Sequence, residues 1–221
     1  MAEKIPPRVV VCDVGNVLFT FQDRREVIKR IIRAHDGDVE SEKWFSGMLG
    51  RAVFDACDNG KITPRKLWKY VCKRAVINHR ELSESMFFGL FFDHLQPIDG
   101  TITLVRRLQN RYPLVAVSDG DIGSRYAINA LMTHHGVQFL ETYVSCEKKL
   151  RKPALYAYAA ENLLNKHNIA ADECVCVDDI ISHVNFVKEL GMRGIHFNGA
   201  QEPAEVLLWR LGWEGIVLER A

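Results

Sequence analysis

The sequence predicts an α/β protein, a Rossmann-like parallel sheet flanked by helices, with an inserted all-α helical cap. Three observations predict it. First, residues 9–12, 114–117 and 174–177 are short apolar runs, mostly β-branched, that end at Asp13, Ser118 and Asp178. Continuous apolar runs of this length suit strands buried on both faces. Second, helical patterns lie between the later runs, and strand–helix alternation implies right-handed crossovers within one sheet. Third, the interval from Phe21 to Leu95 carries helical patterns and no strand pattern. These give a Rossmann-like core of residues 1–20 and 96–221 and a cap of residues 21–95.

Within the insert, Val27, Ile28, Ile31 and Ile32 form one apolar stripe. Asp36-Gly37-Asp38 and Asp58-Asn59-Gly60 supply turns. Thr63 and Pro64 read as a cap and a first-turn proline, with Leu67, Trp68, Val71 and Cys72 on one side of the helix that follows. Ser83 is placed to cap an apolar helix containing Met86, Phe87, Leu90 and Phe91. The aromatic residues Trp44, Phe45, Phe54, Trp68, Phe87 and Phe91 are expected in the core of this insert rather than as a substrate platform.

In the remainder, Leu104, Val105 and Leu108 mark a helix before the second strand, and Ile128, Leu131 and Met132 mark one after it. His134-His135 ends that helix, where cationic groups suit the dipole. Weaker strand patterns lie at 143–145 and 194–197. Pro153 reads as the first-turn residue of a helix through Leu155, Tyr158, Ala159 and Leu163. Trp209 and Trp213 are expected to pack a final element against the core, with a homodimer surface as the alternative.

Composition sets the outer bounds. The chain has 221 residues, 48% hydrophobic and 26% charged, which fits one α/β domain or a core with a smaller insert. A formal net charge of +1 provides no global basic field for nucleic acid. No apolar stretch reaches the ~20 residues needed to span a bilayer, so no membrane partner is expected. Residues 1–7 lack a signal-peptide core, so a cytoplasmic location is expected. The six cysteines form no C-x-x-C pair and read as buried small hydrophobes rather than a zinc site. Cys174 and Cys176 alternate, on one face of a strand.

Ligands of open parallel sheets bind beyond the carboxyl ends of the strands, where Asp13, Ser118 and the Asp178-Asp179 pair fall. Such a set fits phosphoryl transfer. A carboxylate attacks phosphorus to form an aspartyl-phosphate that water then hydrolyses. Mg²⁺, which takes carboxylates plus waters and substrate oxygens, offsets the repulsion between the two anions. A hydroxyl and a lysine hold the phosphoryl oxygens.

The stretch Val11-Cys12-Asp13-Val14-Gly15-Asn16-Val17-Leu18 resembles the first motif of the haloacid dehalogenase superfamily, in a form that some bacterial sugar-phosphate phosphatases carry. Val117-Ser118 resembles the second motif and Arg151-Lys152-Pro153 the third. Val177-Asp178-Asp179-Ile180, running on to Leu190-Gly191-Met192, is similar to the fourth motif of the phosphatase-like domain of soluble epoxide hydrolases. The motifs occur in the family's order and span residues 9–197. The resemblance implies a phosphatase acting on a small phosphorylated substrate, with a sugar phosphate as the example, and Mg²⁺ as cofactor. It assigns catalysis to Asp13 and Lys152, with Asp13 as nucleophile. It assigns the metal to Asp13, the Gly15 carbonyl, Asp178 and Asp179. Phosphate binding falls to Ser118, Asp119, Lys152 and Asn16, with Lys148 and Lys149 as alternatives to Lys152. The cap would close over this site and select the substrate.

The pattern departs from the family in three places. Most phosphatases of the superfamily have a second aspartate where this chain has Gly15, and general acid–base help is typically worth ~10²–10⁴-fold. Asp23, Asp121 and His183 are the candidates to replace it. Asp119 stands where relatives often have asparagine, so it must be turned away, paired with a cation or protonated. His183 also stands where close relatives often carry asparagine. Two competing readings follow: a catalytically weak phosphate- or Mg²⁺-binding regulatory protein of the same fold, and a 2-haloacid dehalogenase. Against the latter, Val14-Gly15-Asn16 does not match the Tyr-Gly-Thr of that branch.

Overall fold

Short β-branched runs with no polar side chain to expose form the centre of the molecule. A computed structural model describes residues 5–21, 23–92 and 95–218, apart from the side chains at 39, 46, 48, 49 and 91. Among these residues the strands are β1 (Val9–Asp13), β2 (Phe19–Phe21), β3 (Leu95–Pro97), β4 (Leu114–Ser118), β5 (Glu141–Val144), β6 (Cys174–Asp178) and β7 (Arg193–His196). Five of them form one parallel sheet in the order β5-β4-β1-β6-β7. Every residue of β1, β4 and β6 is buried, as strands covered by helices on both faces require. The weaker strand patterns correspond to β5 and β7.

The helices between β2 and β3 are α1 (Arg24–Ala34), α2 (Val39–Ser46), α3 (Met48–Asp58), α4 (Pro64–Ala75) and α5 (Glu84–Phe92). Around the sheet lie α6 (Asp99–Leu108), α7 (Ile122–His134), α8 (Ser145–Lys148), α9 (Ala154–His167), α10 (Ile181–Glu189) and α11 (Ala204–Trp213). The first group has its own apolar cluster, which includes Ile28, Phe45, Phe54, Trp68 and Phe87. Trp44 packs against it. Phe91, expected there too, lies outside the described side chains. The capping residues act as their types dictate. Thr63 Oγ1 accepts from Lys66 N, and Ser83 Oγ accepts from Met86 N.

Three features differ from the sequence expectation. The helical interval is bounded by an antiparallel pair, β2 with β3, in which Phe21 faces Leu95. Three-residue strands leave no periodicity to read, and their pairing depends on residues far apart in the chain. Pro153 occupies the capping position of α9, one residue before its first turn, after a cis Lys152–Pro153 bond. Trp209 and Trp213 do not pack against the core. Leu207 and Leu211 do so for α11, while the two indoles stack on each other, 57% and 67% exposed. All six cysteines are unpaired, and five are buried. No helix among the described residues is long and apolar enough to cross a membrane.

Candidate active site

β1 lies at the centre of the sheet, between β4 and β6, so the carboxyl ends of these three strands meet. Cys12 pairs with Val177 and Asp13 with Val117, which brings Asp13, Ser118 and Asp178 to one edge. Asp13 is 4% exposed, and Val14 N donates to its Oδ1 at 2.6 Å. Oxygens of Asp13, Asp178 and Asp179 all lie within 4.8 Å of one another. Lys152 Nζ is 2.6 Å from Asp13 Oδ2 and 3.2 Å from Asp178 Oδ2. Of the neighbouring lysines, Lys148 instead lies over the Tyr158 ring.

Charge is out of balance here, because three carboxylates face one ammonium. Burial, reinforced by Asp178 and Asp179 and opposed by Lys152, pushes the Asp13 carboxyl up to about 7. Burial would also raise Asp178, yet Lys152, Tyr156, the Ile180 N–H and His183 hold it below the ordinary carboxylate range. Lys152 is displaced upward, since Asp13 and Asp178 outweigh its own burial. Three clustered carboxylate groups with a surplus of negative charge are a hard-oxygen donor set suited to a divalent cation such as Mg²⁺.

Several contacts hold these groups in place. Tyr156 Oη donates to Asp178 Oδ2 at 2.5 Å, and Ile180 N donates to Oδ1 at 2.7 Å. His183 Nδ1 lies 3.2 and 3.1 Å from the two Asp178 oxygens. Asn16 Nδ2 donates to Asp179 Oδ2 at 2.9 Å, and Asn16 itself has φ 52°. Ser118 is 3% exposed at the end of β4, where its hydroxyl donates to the Asp119 carbonyl at 3.3 Å.

Asp119 is paired with a cation, as one of its three expected states required. Its Oδ1 accepts the Lys152 N–H at 3.0 Å and its Oδ2 accepts from Arg151 Nε at 3.2 Å. The carboxylate therefore holds the loop that presents Lys152. A Cβ at Gly15 would stand 2.8 Å from Cε2 of Phe21, so a side chain there would require the ring to shift. The Phe21 ring occupies the space into which a second carboxylate would project.

The candidate acids are placed differently. Asp23 caps α1 and accepts from Arg25, and it also lines a cleft of about 360 Å³ beside Arg24, Asp119 and Arg151. Asp121 is buried as the cap of α7, accepting from Ser124 N at 2.9 Å. Sequence reasoning missed two groups. Arg24 donates to both oxygens of Asp58 at 2.8 and 2.7 Å, although Asp58 read only as a turn residue. Tyr156 escaped notice because it carries a polar tip within a helix that was read only for its apolar stripe.

No protein-family model matches the sequence, and no curated protein matches it. Solved structures do. A HAD family enzyme from Bacteroides thetaiotaomicron superposes with a TM-score of 0.70 at 18% identity, covering 92% of this chain and 99% of that one. The chain has the fold of the haloacid dehalogenase superfamily. A variant of the same Bacteroides enzyme, in complex with magnesium and inorganic phosphate, gives a TM-score of 0.68 at 18% identity over 90% and 98% of the two chains. An L-2-haloacid dehalogenase gives 0.55 at 16% identity, over 84% and 82%. At 16–18% identity these likenesses establish the fold and no particular activity.

Proposed function

We propose that the protein is a Mg²⁺-dependent hydrolase that cleaves a small phosphate monoester, with a sugar phosphate as the model substrate, through an aspartyl-phosphate on Asp13. The observation that carries this reading is Lys152 Nζ at 2.6 Å from Asp13 Oδ2, inside a cluster of three carboxylates at the edge of the sheet. A buried carboxylate flanked by an ammonium is arranged to attack an electrophile that brings its own negative charge. The Bacteroides enzyme with magnesium and inorganic phosphate supports the same chemistry.

In this reading Asp13, Asp178, Asp179 and the Gly15 carbonyl hold Mg²⁺, which supplies positive charge against the phosphoryl oxygens. Asp13 forms a bond to phosphorus as the bond to the alcohol oxygen breaks, and the leaving alkoxide takes its proton from water. Water then attacks phosphorus and releases inorganic phosphate and the free Asp13 carboxylate. Lys152 and Ser118 hold the phosphoryl oxygens through both steps. Asp119 and Asn16 serve by fixing Lys152 and Asp179. The helical bundle of α1–α5 acts as a cap that excludes water and selects the alcohol.

A second reading, a binding protein of the same fold, is favoured by Phe21, whose ring takes the place of a second acid at Gly15. Turnover separates the two. Phosphate release from a panel of phosphomonoesters, with and without Mg²⁺, is expected for the wild type and not for Asp13→Asn. Folded protein that binds Mg²⁺ yet turns over no ester would favour the binding protein.

A further inference from the structure

A cleft is lined by Phe21, Asp23, Arg24, Asp58, Asp119 and Arg151, among others. Chain neighbours fix its relation to the phosphate site. Asp119 follows Ser118, Arg151 precedes Lys152, and the Phe21 ring stands over Gly15. A phosphomonoester held at Ser118 and Lys152 would thus have this cleft within reach of the group it carries beyond its phosphate.

Two guanidiniums on such a cleft would ordinarily indicate a second anion on the substrate, because a planar fork of donors matches carboxylate and phosphate. In this protein both forks are already engaged. Arg24 donates to both oxygens of Asp58 and lies 3.9 Å from Asp121 Oδ2. Arg151 donates to Asp119 Oδ2 at 3.2 Å and to Asp55 Oδ1 at 3.1 Å. A third guanidinium, Arg25, is paired with Asp23. The carboxylates of Asp23, Asp55, Asp58, Asp119 and Asp121 thus outnumber the guanidiniums of Arg24, Arg25 and Arg151. Among the residues that line the cleft itself, Asp23, Asp58 and Asp119 likewise outnumber Arg24 and Arg151.

We propose that this cleft selects phosphomonoesters whose alcohol carries no negative charge, and favours an alcohol bearing an ammonium group over one bearing only hydroxyls. The inference rests on the phosphatase reading of Asp13. A second anion would have to share Arg24 or Arg151 with the carboxylates that already hold them, against the repulsion of those carboxylates. Displacing Asp58, whose side chain is 4% exposed, would strand a buried charge. An ammonium instead meets Asp23, 40% exposed in its side chain, and Asp119 at 21%, whose oxygens retain lone pairs for a further donor beside Arg25 and Arg151. The Phe21 ring lends an apolar wall to the carbon skeleton.

Three esters of equal length isolate the charge: ethanolamine phosphate, ethylene glycol monophosphate and phosphoglycolate, with p-nitrophenyl phosphate as a reference. The expected order of kcat/KM is cationic, neutral, anionic, with phosphoglycolate about tenfold or more below the neutral ester. The gap should narrow as salt screens the cleft. Asp55→Asn, at a half-exposed position the fold tolerates, releases one of the two claims on Arg151. It should raise phosphoglycolate relative to the neutral ester by about fivefold. Phosphoglycolate hydrolysed as well as the neutral ester, with p-nitrophenyl phosphate turned over, would overturn the inference and leave the phosphatase reading standing. No release from any of the four would overturn the phosphatase reading, and the inference with it.

Discussion

Mg²⁺ binding to the metal-free protein should strengthen as pH rises toward 7 and level off above it. The cause is Asp13, whose carboxyl is pushed from 3.8 to about 7, first by burial and then by the neighbouring Asp178 and Asp179. A cation that binds this cluster must displace the Asp13 proton, so each pH step below 7 lowers apparent affinity by about tenfold per unit. Lys152 moves up and Asp178 moves down, so neither titrates in this window. Because the folded-state value lies above the unfolded one, the stability contribution of Asp13 is present below its ordinary value and is lost as pH rises through about 7. At about 1.4 kcal/mol for each tenfold, the displacement from 3.8 to about 7 corresponds to on the order of 4 kcal/mol. Titration calorimetry in buffers of different ionisation enthalpy measures both affinity and protons released. Near pH 6, about one proton should leave for each Mg²⁺ bound. The metal-free protein should also melt lower at pH 8 than at pH 5, a loss that saturating Mg²⁺ reverses. Affinity that stays flat between these limits, with no proton released, would refute the reasoning.

Three substitutions test other parts of the account. Arg24→Ala leaves Asp58 and Asp121 as buried carboxylates without their cation, and should cost about 3–5 kcal/mol in denaturant unfolding. A loss below about 1 kcal/mol would show that the pair is already hydrated. Gly15→Asp drives a side chain into the Phe21 ring and should destabilise by about 1–3 kcal/mol. Combining it with Phe21→Ala should restore the melting temperature, and in a phosphatase should raise turnover by about 10²-fold. Asp119→Ala frees both Arg151 and the Lys152 N–H, and should lower kcat by about tenfold or more while the melt changes little. An unchanged kcat would remove Asp119 from the support of Lys152.

The parts of this fold that were legible in the sequence are those whose signal is local. β1, β4 and β6 announced themselves because strands buried on both faces need continuous apolar residues, and Thr63 and Ser83 did so because helix starts need a side-chain acceptor. What escaped depends on distant partners. β2 and β3 have three residues each and exist only because Phe21 meets Leu95. The Arg24–Asp58 pair joins residues on separate helices, and Asp58 alone looked like the opening of a turn. Trp209 and Trp213 looked like core by size, whereas the helix phase set by Leu207 and Leu211 turns them outward. Within the site, position at the strand ends marked Asp13, Ser118 and the acidic pair, and the family resemblance singled out Lys152. The state of Asp119 could be settled only once Arg151 and the Lys152 N–H were seen to share its carboxylate.

The central claim is that Asp13 carries the phosphoryl group during turnover. Rapid quenching of wild-type protein with a turned-over phosphomonoester and Mg²⁺, followed by borohydride reduction and peptide mass spectrometry, tests it directly. The account predicts that Asp13 is converted to homoserine, the mark of a reduced acyl-phosphate, and that the conversion requires both ester and Mg²⁺. Continued phosphate release with Asp13 unmodified, or from Asp13→Asn at the wild-type rate, would contradict it.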